Sequence, residues 1–274
     1  MDFGFIIPTC CKSDIHYLQL LRCVSSIQQY HPDKSIILID DSDISFHSKI
    51  RNFFKDNKQV IVETSLVQGS ADQQTFKFLL NTNLFSQAIM IQDSMILNKK
   101  LDNIEQIDKI KFIWSFTNHR LHWDIIQEPQ TDFNSKNNIK THTDLVKHCL
   151  KTFYNNNQDF LKFALNRLEH KNLWIGCFGN LCIISRDSLI EMNNRINFVN
   201  TFVQFSDNRL RRANETIFSL ICHYVFPEID FEKSYDGLYY DGINVNEFAN
   251  KECGFDNLVW CCKKNYLSKI SFNR

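Results

Sequence analysis

Three groups of oxygen-bearing side chains stand where apolar runs end. Asp40-Asp41-Ser42-Asp43 follows residues 35–39 (SIILI), Gln92-Asp93-Ser94 follows 88–91 (AIMI), and Pro8-Thr9 closes the run that begins at Phe3. Carboxylates so placed accept hydrogen bonds from hydroxyl and N–H groups. They are also hard oxygen ligands suited to Mg²⁺ or Mn²⁺. A fourth acid, Glu215, stands in Arg211-Arg212-Ala213-Asn214-Glu215, which reads as the opening of a helix. The helix dipole keeps a carboxylate ionised there. Taken singly, each group is also what a turn, a cap or a first helical turn uses. Their shared position at the ends of apolar runs is what points to a site.

The elements that must hold these groups alternate along the chain. Residues 3–8 read as a strand buried on both faces. Residues 15–30 then carry Ile15, Leu18, Leu21, Val24 and Ile27, a helical stripe. Strand 35–39, helix 44–55 and strand 59–63 (QVIVE) follow, and Gly69 breaks the chain before a helix over 70–80 and a strand over 88–91. Strands separated by helices of this length predict β-α-β units and a mostly parallel sheet. Such sheets bind ligands beyond the carboxyl ends of their strands, where the three groups stand.

The second half is read more coarsely. Residues 111–116 (KFIWSF) predict a strand, with 119–126 as its hairpin partner. The polar, Asn-rich stretch 128–143 reads as a mobile loop, either a lid or a surface insertion. Residues 144–168 are helical in pattern with a break at Asn155-Asn156-Asn157, 181–184 form a strand, and 212–224 form a helix whose core face carries Ile217, Leu220, Ile221 and Tyr224.

Composition narrows the function. In 274 residues, 31 basic side chains balance 31 acidic ones, which removes bulk attraction to nucleic acid or an anionic membrane. No apolar run approaches the roughly 20 residues of a membrane helix, and the first residues lack a signal-peptide pattern, so a cytoplasmic location is expected. The 10 Cys include no C-x-x-C pair and read as free thiols of a reducing compartment. His119-Arg120-Leu121-His122-Trp123 lacks a third zinc ligand.

Taken in order, Phe5-Ile6-Ile7-Pro8-Thr9, Ile37-Leu38-Ile39-Asp40-Asp41-Ser42, Gln68-Gly69-Ser70-Ala71 and Ile91-Gln92-Asp93-Ser94-Met95-Ile96 resemble the nucleotide-sugar-binding half of a GT-A fold glycosyltransferase of the family 2 type. The likeness spans the first 100 residues or so and is looser to about residue 225. It implies an α/β, Rossmann-like GT-A fold with a mostly parallel central sheet flanked by helices. Residues 1–110 would be the nucleotide-sugar-binding half. Residues 111–274 would be the acceptor-binding half and a C-terminal extension of the same domain. The implied activity is inverting transfer of a sugar from a nucleoside diphosphate sugar, a uridine one, to a carbohydrate or glycoconjugate acceptor.

The resemblance also assigns residues. Pro8, Thr9, Asp40, Asp41, Gly69, Gln92, Asp93, Ser94, Gly179, Arg211 and Arg212 would bind the nucleotide sugar, and Glu215 would be the general base. Trp174-Ile175-Gly176-Cys177-Phe178-Gly179-Asn180 would contact donor sugar or acceptor, or equally be a tight turn with core aromatics. Two positions depart from the pattern. Asn214-Glu215 matches a Glu-Asp pair with its first acid lost, and Gln92-Asp93-Ser94 matches the metal-binding D-x-D with only the middle acid kept. The altered motif resembles that of transferase-like proteins of large DNA viruses.

Three arrangements fit that second departure. Asp93 holds Mn²⁺ or Mg²⁺ with Ser94 or His223; cations such as Arg209, Arg211 or Arg212 neutralise the diphosphate without metal; or the site is inactive. The last would make the chain a non-catalytic carbohydrate- or partner-binding protein derived from a transferase. A sugar nucleotidyltransferase would need a Gly-rich phosphate loop after the first strand, and Thr9-Cys10-Cys11-Lys12-Ser13 contains no Gly.

Overall fold

The computed structural model describes residues 2–97, 99–117, 131–170, 175–202, 208–231, 238–240, 253–254 and 258–260. The predicted hairpin partner at 119–126, Trp174 and residues 128–130 lie outside them. The chain divides into two compact units. The first comprises Met1–Ile110, Ile183–Arg186 and Asn244–Arg274, and the second comprises Lys111–Cys182 and Asp187–Ile243.

The first unit follows the predicted alternation: β1 (Phe3–Thr9), α1 (Asp14–Tyr30), β2 (Ile36–Asp40), α2 (Ile44–Phe54), β3 (Val60–Thr64), α3 (Ala71–Asn81), β4 (Gln87–Met90) and β5 (Met95–Leu97). Every residue of β2 and β4 is buried, as continuous apolar runs in a parallel sheet require. α1 starts where Ser13 accepts the amide of His16, and it buries Tyr17, Leu20, Cys23, Val24 and Ile27. Leu18, on the predicted stripe, is instead 40% exposed. True helical spacing carries the core face through 20, 23, 24 and 27.

Strand register does the functional work. β1 pairs in parallel with β2 and with β4, and β2 pairs in parallel with β3. Thr9 lies opposite Asp40, and Asp40 opposite Thr64, so three strands deliver their polar ends to one edge. Gly4 shows how tightly β1 is packed: a Cβ there would collide with the buried ring of Phe85. Gly4→Ala should therefore destabilise the fold by about 1–3 kcal/mol. An unchanged denaturant midpoint would show that Phe85 yields freely.

The second unit begins in β6 (Ile110–Phe112), continues in β7 (Trp114–Thr117), and contains α4 (Asp132–Lys136), α5 (His142–Phe153), α6 (Gln158–Glu169) and β8 (Ile175–Cys177). After β9 (Cys182–Ser185) come α7 (Arg186–Ile196), α8 (Phe198–Phe202), α9 (Asn208–Val225) and β10 (Leu238–Tyr240). β11 (Cys253–Gly254) and β12 (Leu258–Trp260) pair antiparallel, and β12 pairs with β5. The large sheet has the order β3-β2-β1-β4-β9-β6, and β7 lies between β8 and β10 in a smaller one. The unit boundary passes within β6 and β9. The architecture is α/β with a mostly parallel central sheet flanked by helices.

Three expectations need correcting. The single strand over 111–116 is two, separated at Ile113, whose amide bonds to Leu181 at 2.8 Å. The polar stretch read as a mobile loop carries α4 with a Thr131 cap, then a Thr141–Asp144 capping box that starts α5. The helix holding Glu215 starts at Asn208, so Glu215 is its eighth residue and not part of an opening turn. The dipole fades within the first turn, so it gives Glu215 little help.

Candidate functional site

At the sheet edge of the first unit, the ends of β1, β2 and β4 are stitched together through Cys10. Its amide donates to Asp93 Oδ2 at 3.1 Å, and its thiol lies 3.6 Å from the carbonyl of Asp41. The next residue repeats the pattern, with the Cys11 amide donating to Ser42 Oγ at 2.8 Å. Thr9 is fully buried, and its carbonyl accepts the Asp41 amide at 2.8 Å. Pro8 beside it is half-buried. In sequence Cys10 and Cys11 read only as free thiols; nothing in a Cys-Cys pair signals that their backbone amides bind two acidic loops. Burial, reinforced by the charges of Asp93 and Asp40, pushes the Cys11 thiol up to about 12. It stays protonated and is no nucleophile.

The paired acids divide. Asp40 has a side chain with 0% exposure, and its two oxygens take the Ser42 amide at 3.0 Å and His47 Nδ1 at 2.6 Å. Asp41 is half-buried, and its Oδ2 accepts the Gly69 amide at 2.6 Å. Gly69 has φ 85°, a conformation that glycine adopts without strain. The loop it closes is held by Gln74, whose side chain accepts the Leu66 amide at 2.9 Å and donates to Ser65 Oγ at 2.8 Å.

Between these loops opens a cavity of about 640 Å³, lined by residues that include Asp40, Asp41, Asp43, Ile44, His47 and Gln68. Among the described residues, its lining holds three aspartates and no lysine or arginine. Such a wall repels bare phosphate and favours groups that donate hydrogen bonds. Ile44, 88% exposed, adds an apolar surface at its lining.

Of the altered D-x-D, Gln92 and Asp93 are half-buried and Ser94 is buried. The carbonyl of Gln92 accepts the Met95 amide at 3.0 Å, which closes the turn that presents Asp93. Among the described residues, no group of three or more His, Cys, Asp or Glu side chains could hold a metal. One carboxylate suits only a cation whose remaining ligands come from a diphosphate and water.

The second unit gathers the other predicted residues around β8 and α9. The Cys177 amide donates to Ser219 Oγ at 2.6 Å, and that hydroxyl donates to the carbonyl of Glu215 at 2.6 Å. Burial drives the Cys177 thiol upward, with the nearby sulfurs of Cys182 and Cys222 and the charge of Glu215 adding to it. Glu215 itself is half-buried.

Gly179 and Asn180 take successive left-handed conformations, φ 61° and 58°, and among the described residues Asn180 Oδ1 is buried without a hydrogen-bond partner. Asn214 Oδ1 and Thr216 Oγ1, flanking Glu215, are in the same condition. Asn180 lies in the 174–180 stretch already assigned to donor or acceptor contacts, whereas nothing in the sequence singles out Thr216. His223, offered as a metal ligand, has Nε2 at 2.9 Å from the Ile175 amide, so only Nδ1 remains for such a role. Arg211 and Arg212 belong to α9, and Arg209 does too.

No family model matches the chain, and no curated protein matches it. Solved structures similar to it include S. aureus TarS in complex with UDP-GlcNAc, 15% identical with a TM-score of 0.33 over 48% of this chain and 38% of that one. The mannosyltransferase Ktr4p from S. cerevisiae is 7% identical, with a TM-score of 0.44 over 80% of this chain and 65% of that one. Core-mannan synthase A from Aspergillus fumigatus, in its Mn/GDP form, is 7% identical with a TM-score of 0.43 over 80% and 69%. The chain spans 23% of a longer TarS structure and 22% of GalNAc-T7 solved with UDP, GalNAc and Mn²⁺. Likeness at this level decides neither family nor activity.

Proposed function

We propose that this protein is a glycosyltransferase of the GT-A type that uses a nucleoside diphosphate sugar, with a uridine nucleotide as first candidate. One observation carries the reading: Cys10 joins the Asp41 and Asp93 loops beside a cavity whose wall is acidic and rich in hydrogen-bond acceptors. That wall suits the uncharged, donor-bearing nucleoside, with Asp41 as its acceptor and Asp40 as the buried brace behind it. The diphosphate would then lie toward Asp93.

Mn²⁺ or Mg²⁺ bound there would offset the charge of the leaving group, with Asp93 as its protein carboxylate. Gly69, Gln92 and Ser94 shape the two loops, while Gly179, Arg211 and Arg212 are assigned to donor or acceptor contacts. Glu215 takes the proton of the acceptor hydroxyl while that oxygen bonds to the anomeric carbon. The bond from that carbon to the diphosphate breaks, and the nucleoside diphosphate leaves with the electron pair, inverting the centre.

The test is calorimetric titration with UDP and GDP, with and without Mn²⁺, followed by donor hydrolysis. Wild type should bind one nucleotide, and Asp41→Asn should weaken that binding roughly tenfold or more, as expected for a lost hydrogen bond to a charged group. Equal affinity in the two proteins would remove Asp41 from the pocket. Nucleotide binding without any turnover would favour the non-catalytic carbohydrate- or partner-binding reading, which the single acid of Gln92-Asp93-Ser94 supports.

A further inference from the structure

Behind the cavity wall runs a chain of hydrogen bonds that donor binding alone does not require. Arg51, one helical turn after His47 on α2, donates from Nε to His47 Nε2 at 2.9 Å and from Nη2 to Thr64 Oγ1 at 2.6 Å. A guanidinium has donors and no acceptor, so His47 Nε2 must offer a lone pair. The proton of the neutral ring then sits on Nδ1, which is 2.6 Å from Asp40 Oδ2. A doubly protonated ring would set two donors face to face at Arg51.

The far end of this chain is the buried brace. Asp40 uses its other oxygen to fix the Ser42 amide, and its carbonyl accepts the Ser65 amide at 2.8 Å. His47 is 26% exposed and lines the cavity, whereas the carboxylate it holds has no exposure at all. A buried carboxylate that loses one of these two donors must find another or move, because an unmade buried hydrogen bond is costly. Either response disturbs the turn from Asp40 to Asp43 and with it the placement of Asp41.

We propose that His47 is the positioning residue of this cavity: held as its Nδ1–H tautomer by Arg51, it fixes Asp40 and so presents Asp41 to the nucleoside. The proposal rests on the donor-binding reading above and adds to it a residue that touches no reacting atom. Histidine is suited to the task because one ring nitrogen can donate to Asp40 while the other accepts from Arg51.

The experiment compares wild type, His47→Leu, His47→Asn and Arg51→Met by calorimetry with UDP and GDP. Heteronuclear NMR of the imidazole nitrogens is recorded on wild type and Arg51→Met. His47→Leu should lose roughly tenfold or more in nucleotide affinity, whereas His47→Asn, which keeps a donor near the Nδ1 position, should recover most of it. The wild-type ring should carry its proton on Nδ1, and Arg51→Met should shift it toward Nε2. Should His47→Leu fail to fold, the Asn and Met variants and the NMR signal still decide. Wild-type affinity in His47→Leu, no recovery in His47→Asn, or an Nε2–H tautomer in wild type would each overturn the proposal. A wild type that binds neither nucleotide would instead overturn the donor-binding reading, and this proposal with it.

Discussion

Glu215→Gln is expected to lower sugar transfer roughly one hundred- to ten-thousand-fold, the range supplied by a positioned general base. Nucleotide affinity, which the proposed function assigns to the cavity of the first unit, should stay within about twofold. The substitution keeps the side chain's volume and removes its ability to accept a proton. Two bonds of the second unit hold its backbone in place: the Glu215 carbonyl receives Ser219 Oγ, and Ser219 Oγ receives the Cys177 amide. The substitution leaves both of these bonds in place, and a urea unfolding curve matching that of wild type would confirm that the variant is folded. Transfer kinetics with the donor identified by titration would check this. Turnover at the wild-type rate would take Glu215 out of the base role.

The second large effect is on stability in mild acid. Burial lowers the protonation of His223 from the usual value of 6.5 to about 4, with Arg167 acting the same way and the Ile175 carbonyl opposing in part. Between those values the unfolded chain binds a proton that the folded protein refuses. The stabilisation is therefore complete above about pH 6.5, falls as the pH drops toward 4, and levels off below it, for a total of at most about 3 kcal/mol. His223→Gln, which cannot titrate, should flatten that part of the stability-versus-pH curve relative to wild type. Parallel curves from urea unfolding across the window would rule this coupling out.

The first unit was largely legible because its strands are continuous apolar runs with helical stripes between them. β1, β2 and β4 could be placed within a residue or two. The division of labour at the paired acids could not be read. Asp40 and Asp41 are identical in type, and only the fold decides that one meets His47 and the other Gly69. His47 and Arg51 stand four residues apart on α2, a spacing that in sequence signals no more than neighbours on a helix surface.

Farther along, nothing in residues 111–116 (KFIWSF) marks the break at Ile113, because the break depends on a bond to Leu181, far away in sequence. Polar composition concealed α4, whose start is set by the local cap at Thr131. The start of α9 was placed too late because Asn208 and the arginines after it carry no apolar periodicity.

Asp40, with no solvent exposure, and Asp41, half in view, also make two consecutive acids answerable to different demands. Under the donor-binding reading, exchanging the second would alter which nucleotides are admitted and would release the Gly69 amide it holds. Exchanging the first would cost scaffold and tuning together.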